Sequence, residues 1–395
     1  MRPKVTTAQR RARLAVRHRL VASEHTDDIA AIADSLVALH SSDPVTVYLS
    51  AVARMVHPSL DAVATSLYDE HTVVRHHAMR RTLWVMTPGV TALAHAACTT
   101  GLVKPEWNRI ARLLESSEIT DDGDAWLTAA KRDTLAALHR LGAASTRRIG
   151  AEVPELTKPL RMAAGTSYAA TPAAHTRVMI LLGFDGAIVR GRPSGTWING
   201  QYTWLPMDAI VPGGLPAIDP AVARADLVRR WLFAFGPATT TDIQWWLGST
   251  LGAVRHALAA VDAVEVSLDQ PGGGTGWMLA DDLDPVDTPG PFVAVLPGLD
   301  PTTMGWKERS WYLGEHGAHV FDRNGNGGPT IWVDGEIVGS WVQRKDGTLA
   351  RRLLQDVPAQ RVKEIDRHLA ALRDLLGDTR HTVRFPAPIQ RDLLA

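Results

Sequence analysis

The first third of the chain carries apolar residues at intervals of three and four positions, the spacing that forms one face of a helix. This spacing predicts helices over residues 7–22, 26–39, 44–56 and 60–69. Pro44 disfavours the helical conformation at the residue before it, so Asp43 is expected to start the third of these helices. The β-branched and aromatic residues of 82–86 predict a short strand that follows a further helix. Several helices followed by a short β segment are typical of a winged helix.

This order of elements recurs further along the chain. Two stretches of thirteen residues match at four positions each: Gly142, Ala144, Thr146 and Ile149 match Gly236, Ala238, Thr240 and Ile243. A long amphipathic helix is predicted before each stretch, and a cluster of Ser and Thr is predicted to cap the short helix within it. Another helix and a glycine-containing β segment suited to a hairpin follow both. Together with the similar N-terminal block, the repeat predicts three tandem winged-helix units.

The pattern changes to strand, turn and strand after about residue 291, with the turn sequences NGNGG and DG. This part is interpreted as a small β-barrel with one helix over residues 359–376 and a last strand over 381–386. The expected fold class is therefore α+β. Its predicted domains are winged helices over residues 1–120, 121–215 and 216–288, and a β-rich barrel over 289–395. The run 272–276 lacks the spacing of a dinucleotide-binding loop and is interpreted as a hairpin turn.

Composition limits the class of protein. The 45% of hydrophobic residues are enough for a large core, and the 42 basic and 42 acidic residues cancel, which argues against a histone-like protein. Cys98 is the single cysteine, so a disulfide framework within the chain and a cysteine-based metal cluster are excluded. No export signal or apolar membrane segment is recognised. We expect a soluble, cytoplasmic, monomeric protein that needs no cofactor. His71, His76 and His77 lack a metal-ligand spacing, so no metal site is predicted.

Two clusters of arginine leave alternatives open. The first comprises Arg10, Arg11, Arg13, Arg17 and Arg19 on the first predicted helix. The second comprises Arg75, Arg80 and Arg81, just before the predicted strand. Each cluster is either a solvated surface or a surface that binds backbone phosphates.

The segment LHSSDP combines His40, Ser41, Ser42 and Asp43 in front of Pro44. Asp43 suits a helix cap with proline at the first helical position. His40 suits the C-terminal end of the preceding helix, where the helix dipole favours a cation. Spacing alone does not identify an active site here.

Four stretches resemble the AlkZ/YcaQ-type winged-helix DNA glycosylases, bacterial enzymes that excise alkylated or crosslinked bases. They are LVALHSSDP at 36–44, LYDEHTVVRHHAMRRTLWVMTP at 67–88, FGPATTTDIQWWLG at 235–248, and VLPGLDPTTMGWKERS at 295–310 followed by DGEIVGSW at 334–341. Together they span nearly the whole chain. The resemblance implies three tandem winged helices and a C-terminal β-barrel around a concave DNA-binding surface. This agrees with the fold predicted from the patterns above.

The family's catalytic motif, Leu-Gln-x-Gln or Leu-Gln-x-Asp, is changed in this chain. The matching positions hold Leu39, His40, Ser41 and Ser42, and Asp43 follows. The family's Met-Arg-Gly-Thr-Leu-His is also changed, to the sequence from Met79 to Trp84. By position, the resemblance implies that His40 holds or deprotonates the attacking water, that Ser42 assists, and that Asp43 faces the developing positive charge on the sugar.

The expected function is hydrolysis of the N-glycosidic bond of N7- or N3-alkylated purines or crosslinks in double-stranded DNA. The alternative is a non-catalytic winged-helix DNA-binding protein, such as a regulator or a damage binder. The residues expected to contact DNA are Arg10, Arg13, Arg17, Arg75, Arg80, Arg81, Lys307 and Arg309. We expect the protein to act on the nucleoid.

Overall fold

The computed structural model describes residues 2–162, 170–269 and 273–395. A short strand and a helix come first: β1 (Lys4–Val5) and α1 (Thr7–Arg17). The first unit, residues 29–86, follows with α2 (Ile29–Ser35), β2 (Leu39–His40), α3 (Pro44–Val52), α4 (Leu60–Tyr68), β3 (Val74–His77) and β4 (Leu83–Met86). A long helical connection leads onward through α5 (Pro88–Ala94), a π-helical segment (His95–Thr99) and α6 (Thr100–Ser116).

Two further units have the same order of elements. The second unit, residues 123–206, comprises α7 (Gly123–Leu141), β5 (Ala144–Ser145), α8 (Thr146–Glu152), α9 (His175–Phe184), β6 (Ile188–Pro193) and β7 (Tyr202–Pro206). The third unit, residues 220–279, comprises α10 (Pro220–Phe235), α11 (Thr240–Leu247), α12 (Leu251–Ala260), β8 (Ala263–Leu268) and β9 (Thr275–Leu279). Part of the predicted glycine turn at 272–276 lies outside the described residues.

The sheets of the three units share one topology. A short strand or bridge pairs antiparallel with the second strand of a hairpin, and a tryptophan of that strand faces it each time: His40 opposite Trp84, Ala144 opposite Trp204, and Ala238 opposite Trp277. In the third unit β1 adds to the other edge of the hairpin, parallel to β8. The matched Thr146 and Thr240 are each the first residue of a helix, so the repeat seen in the sequence is also a repeat in space.

The C-terminal part holds one larger sheet. Its elements are β10 (Val293–Leu296), α13 (Pro301–Met304), α14 (Ser310–Leu313), α15 (Gly317–Val320), β11 (Thr330–Val333), β12 (Glu336–Gln343), β13 (Leu349–Leu353), α16 (Ala359–Leu376) and α17 (Pro388–Leu394). The four strands form an open antiparallel sheet in chain order. The helix predicted at 359–376 is confirmed, whereas closure of the strands into a barrel stays a prediction.

Three predicted elements differ from the structure. The helix predicted over 26–39 ends at Ser35, because Val37 adopts a left-handed conformation (φ 62°) and redirects the chain into β2. The helix predicted before the first hairpin is the strand β3, which pairs with β4. Residues 381–386 form no strand, because the Gln343 side chain holds the backbone of Thr379 and His381 in place of a ladder.

The core joins the first and third units to the C-terminal part, whereas the second unit has a hydrophobic cluster of its own. One hydrophobic cluster contains Trp84 of the first unit, Trp231 and Trp246 of the third, and Trp306 and Trp332 of the C-terminal part. A fully buried ion pair also connects distant segments: Arg54 donates to Asp300 at 2.9 and 3.0 Å, and Ser50 donates to the same carboxylate at 2.6 Å. Because an unpaired buried charge is very costly, this pair fixes how the first unit meets the loop after β10.

None of the helices within the described residues has the length and apolar character needed to cross a bilayer.

Candidate active site

His40 lies on the short strand β2, and its side chain is only 5% exposed. The imidazole meets the Trp84 ring edge-on, with 4.7 Å between ring centres. Its Nδ1 accepts a long hydrogen bond of 3.4 Å from the backbone N–H of Ser42. Burial, and then the charge of Arg80, lowers the pKa of His40 to about 3. The ring is therefore neutral at physiological pH, and with Nδ1 accepting, its proton lies on Nε2.

The position of His40 corrects one interpretation of the sequence. His40 is a strand residue opposite Trp84 and not the C-terminal residue of a helix. The helix dipole therefore does not act on it. Trp84 and Val85 are successive residues of β4, so their side chains point to opposite faces of the sheet. The side chains of His40 and of the residues next to it are separated between the two faces in the same way. His40 lies opposite Trp84, whereas the Ser41 hydroxyl accepts a 2.6 Å hydrogen bond from Arg75 Nε, and Arg75 lies opposite Val85.

Asp43 caps α3, as the sequence indicated. Its carboxylate accepts a 3.1 Å hydrogen bond from the backbone N–H of Val45, and Pro44 occupies the first turn. Burial raises the pKa of Asp43, against the lowering effect of the Val45 hydrogen bond and of Arg384. The capping interpretation is confirmed, and the carboxylate stays close to the motif formed by His40 and Ser42.

A row of alternating guanidinium groups and rings runs from His40 across three parts of the protein. Arg80 Cζ lies 5.9 Å from the Trp84 ring and 4.2 Å from the Trp245 ring. Arg309 Cζ lies 5.2 Å from the Trp245 ring and 4.2 Å from the Phe321 ring. Among the described residues, neither guanidinium has a carboxylate within 4.0 Å. Burial and the charge of Arg309 lower the pKa of Arg80 to about 10.

Backbone strain accompanies this row. Arg80 and Arg81 both have positive φ angles, 55° and 59°, which residues other than glycine adopt at a cost in conformational energy. Gly248 ends α11 with φ 67°, and a Cβ there would stand 3.1 Å from Arg80 Cγ and 3.2 Å from its Cα. The close approach of glycine backbone therefore gives Arg80 its place beside Trp245.

The arginines of α1 have contacts within the protein. Arg10 is 3% exposed and lies over the Trp311 ring at 4.1 Å. Arg13 and Arg17 both bind the Asp282 carboxylate, at 3.0 Å and 2.5 Å. Guanidinium groups held in this way have few N–H groups left for phosphates, so their burial counts against the predicted contact with DNA.

The remaining predicted DNA contacts divide into two groups. Arg75 is buried and stacks on the Tyr202 ring at 4.6 Å, so its contacts are with the protein. Arg81 and Lys307 are exposed, and the backbone N–H of Lys307 donates to Asp242 at 2.8 Å, which ties the loop before α14 to α11. The structure thus brings Arg80 and Arg309 together around Trp245, whereas it holds Arg13 and Arg17 on Asp282.

Trp245 and Phe321 are the two residues of this row that the sequence analysis missed, and Trp245 joins the two arginines. A signal was present in the pair Trp245 and Trp246, because successive helical residues point about 100° apart. Trp246 fills the core, so Trp245 must point away from it, towards the arginines.

The neighbouring histidines do not form a metal cluster. His76 Nε2 and His95 Nδ1 lie 3.1 Å apart and share a proton, and no group of three or more potential metal ligands occurs in the part of the chain that the structure describes.

Comparison with known proteins gives two matches. A family model described as DNA glycosylase AlkZ-like matches residues 33–375, most of the chain. The solved structure of the DNA glycosylase AlkZ from Streptomyces sahachiroi has 18% sequence identity and a TM-score of 0.73, with 94% of this chain and 98% of that chain covered. At this identity the match establishes the fold. No curated protein sequence matches the chain.

Proposed function

Since the chain belongs to the AlkZ-like DNA glycosylase family, we propose that it hydrolyses the N-glycosidic bond of N7- or N3-alkylated purines, or of crosslinks, in double-stranded DNA. The supporting observation is that His40, at one of the family's two catalytic positions, lies close enough to Arg80 for its charge to lower the pKa of the imidazole, and Arg80 and Arg309 both lie against the Trp245 ring. The solved structure that shares the fold is itself a DNA glycosylase.

Excision of an alkylated purine requires little proton transfer by the protein. An N7- or N3-alkylated purine is already a cation, so its glycosidic bond breaks without protonation of the base. The protein must hold a water molecule and stabilise the positive charge that develops on the sugar. With a pKa of about 3, His40 is a poor proton acceptor, and its Nε2–H suits a hydrogen bond that positions the water. The Ser42 hydroxyl supplies a second contact, and the Asp43 carboxylate supplies negative charge for the sugar.

The DNA surface proposed here is centred on Arg80, Arg81, Lys307 and Arg309. We further propose that the first, second and third units are winged helices within residues 1–120, 121–215 and 216–288. Their shared topology of a helix, a short strand, two helices and a hairpin supports this. In this proposal they surround the duplex with the C-terminal β domain, the protein acts as a monomer without cofactor or metal, and it works on the nucleoid in the cytoplasm.

The test is incubation with duplexes that carry N7-methylguanine, N3-methyladenine or a bulky N7 crosslink, followed by detection of abasic sites. His40→Ala should lower excision by about 10²-fold, the cost of a misplaced water, with little change in DNA binding. Asp43→Asn keeps a good helix cap, so a lower rate in that folded variant would identify the charge as catalytic. The exposed His256 on α12 gives the matched control, His256→Ala. Excision at the wild-type rate by His40→Ala and Asp43→Asn would place the active site elsewhere.

A second function is favoured by one observation: both catalytic positions are substituted, and His40 is almost fully buried. A damage binder without excision activity would bind alkylated duplex more tightly than unmodified duplex and form no abasic sites. That result with every adduct tested would replace the glycosylase proposal.

A further inference from the structure

The second unit has an open groove outside the residues proposed for excision. The side chains that matter along it are Thr146, Arg147, His175, Arg190, Tyr202 and Trp204. They come from α8, from α9 and from the hairpin of β6 and β7. The groove therefore belongs to the second unit, and Arg75 of the first unit packs against its Tyr202 ring.

Aromatic rings and a guanidinium plane form one side of the groove. Arg190 Cζ lies 5.2 Å from the ring centres of both Tyr202 and Trp204. Trp204 is fixed in orientation by a 3.1 Å hydrogen bond from its indole N–H to Thr146 Oγ1. The equivalent Trp84 of the first unit is buried and contacts Trp246 at 6.0 Å, whereas Trp204 stays partly exposed.

The positive charge of the groove is not paired with a carboxylate in the part of the chain that the structure describes. Among the described residues, no carboxylate lies within 4.0 Å of the Arg147 or Arg190 guanidinium. The Nε of Arg190 is buried without a hydrogen-bond partner, and burial together with the charge of Arg75 lowers the pKa of Arg190 to about 10. An anion in the groove would relieve both costs, since charge-assisted hydrogen bonds to guanidinium are strong.

Rings beside unpaired guanidinium groups fit a nucleotide better than a simple anion. A base stacks on aromatic rings and on arginine planes, and its phosphate takes the charge. Bases within a duplex have both faces covered, so only a base outside the duplex stack can use the groove. We propose that the groove of the second unit binds an unpaired nucleotide of a DNA strand, with the base against Trp204 and Arg190 and the phosphate at Arg147.

The test measures binding of a fluorescein-labelled single-stranded oligonucleotide by fluorescence anisotropy, using the full chain at several salt concentrations. Arg147→Gln should weaken binding several-fold and reduce the slope of log affinity against log salt by about 0.7, because one phosphate contact is lost. Arg190→Gln removes a plane on which the base stacks and should weaken binding several-fold with a smaller change in slope. Trp204→Leu should weaken binding about 5- to 100-fold, the range for loss of one stacked base. The neighbouring Arg148 binds Glu152 at 3.6 Å and does not line the groove, so Arg148→Gln is the matched control and should bind like wild type.

The outcomes separate this proposal from the excision proposal. His40→Ala should leave single-strand binding unchanged whether or not the wild type excises any base. Equal weakening by Arg147→Gln and Arg148→Gln would indicate a diffuse electrostatic effect and overturn the proposal. Displacement of the oligonucleotide by millimolar deoxyadenosine monophosphate would assign the groove to free nucleotides instead. Arg147 is exposed, so its variant remains informative if Trp204→Leu fails to fold.

Discussion

In the second and third units a tryptophan of the hairpin donates its indole N–H to a threonine. This threonine is the first residue of the helix that follows the short strand or bridge. Trp204 bonds Thr146 at 3.1 Å, and Trp277 bonds Thr240 at 2.9 Å. In the first unit, Trp84 donates to the carbonyl of Met79 at 3.1 Å. The residue opposite the tryptophan also differs, since it is alanine in the second and third units and His40 in the first.

This difference shows that the same topology has different roles in different units. In the second and third units the tryptophan, the alanine and the threonine tie the short strand to the helix, and no titratable group is involved. In the first unit the indole N–H turns to the strained turn at Met79–Arg81. Ser42 is the counterpart of Thr146 and Thr240, and its hydroxyl therefore does not accept the tryptophan N–H. The imidazole of His40 occupies the place of the alanine methyl group in the other two units. The same topology thus carries a structural hydrogen bond in the second and third units and a candidate chemical site in the first unit.

Substitution at the start of a helix should give the largest loss in the free energy of unfolding, and the loss should differ between the first and third units. Asp242 of the third unit is fully buried and accepts four hydrogen bonds, from the Thr239 N–H and hydroxyl and from the N–H groups of Lys307 and Glu308. Asp242→Ala leaves these donors unpaired and should lower the free energy of unfolding by about 3 kcal/mol or more. Asp43→Ala removes one hydrogen bond and should cost about 1 kcal/mol. Urea denaturation measures both, and equal losses would contradict the comparison.

A pH dependence specific to the first unit should follow from His40. Its pKa in the folded protein, about 3, is below the unfolded value near 6.5, so below pH 6.5 the unfolded chain takes up a proton that the folded chain does not. The stability that this neutral histidine contributes is present above pH 6.5 and is lost as the pH falls towards 3. At pH 5 the loss should be about 2 kcal/mol.

The measurement compares wild type with His40→Ala, which gives the first unit the residue that the other two units carry. Denaturation curves at pH 7 and pH 5 should show that acid destabilises the wild type more than the variant. Parallel losses in the two proteins would mean that His40 gains a proton in the folded state.

The tie between tryptophan and threonine should contribute equally in the second and third units. Thr146→Val and Thr240→Val remove the accepting hydroxyl at nearly constant volume, and each should destabilise by about 1 kcal/mol. Ser42→Ala should change the free energy of unfolding by much less, because the Trp84 N–H is bonded elsewhere. Thermal unfolding of the three variants tests this, and a loss in Ser42→Ala as large as the other two would remove the distinction between the units.

The smallest effect is expected at Arg81, where this chain departs from the glycine of the family motif. Arg81→Gly relieves the positive φ of 59° and should raise the free energy of unfolding by about 0.5 kcal/mol. It should also weaken duplex binding and reduce the salt slope by about 1, since one phosphate contact is lost. Arg344→Gly, away from the row and at an ordinary φ, serves as the control. A variant that is more stable but binds DNA with an unchanged salt slope would exclude Arg81 from the DNA surface.

Local sequence signals gave reliable predictions where the physical cause is local. Asp43 before Pro44 predicted a helix start, and the structure has a capped helix there. The matched Thr146 and Thr240 predicted equivalent helices, and both begin at those residues. The predicted roles of His40, Ser42 and Asp43 stay predictions, because they depend on chemistry that only an assay can test.

Features that depend on distant residues could not be predicted in the same way. Arg10, Arg13 and Arg17 look like an exposed basic helix surface, yet Arg13 and Arg17 are held by Asp282, about 270 positions along the chain. The row of Arg80, Trp245 and Arg309 likewise joins residues from three parts of the sequence. No periodicity within one helix reports such contacts.

By itself, the sequence determined most of the helices, the hairpins of the second and third units, the recurrence in the order of elements and the cap at Asp43, because propensity, capping and turn formation act over a few residues. The tertiary structure decided which charges are buried and which are free. It placed His40 on a strand opposite Trp84, where burial keeps the imidazole neutral. It also placed Arg80 and Arg309 against the Trp245 ring, where no carboxylate of the described residues lies within 4.0 Å of either guanidinium. Burial and charge pairing depend on every segment that packs around a group, and only the folded chain brings those segments together.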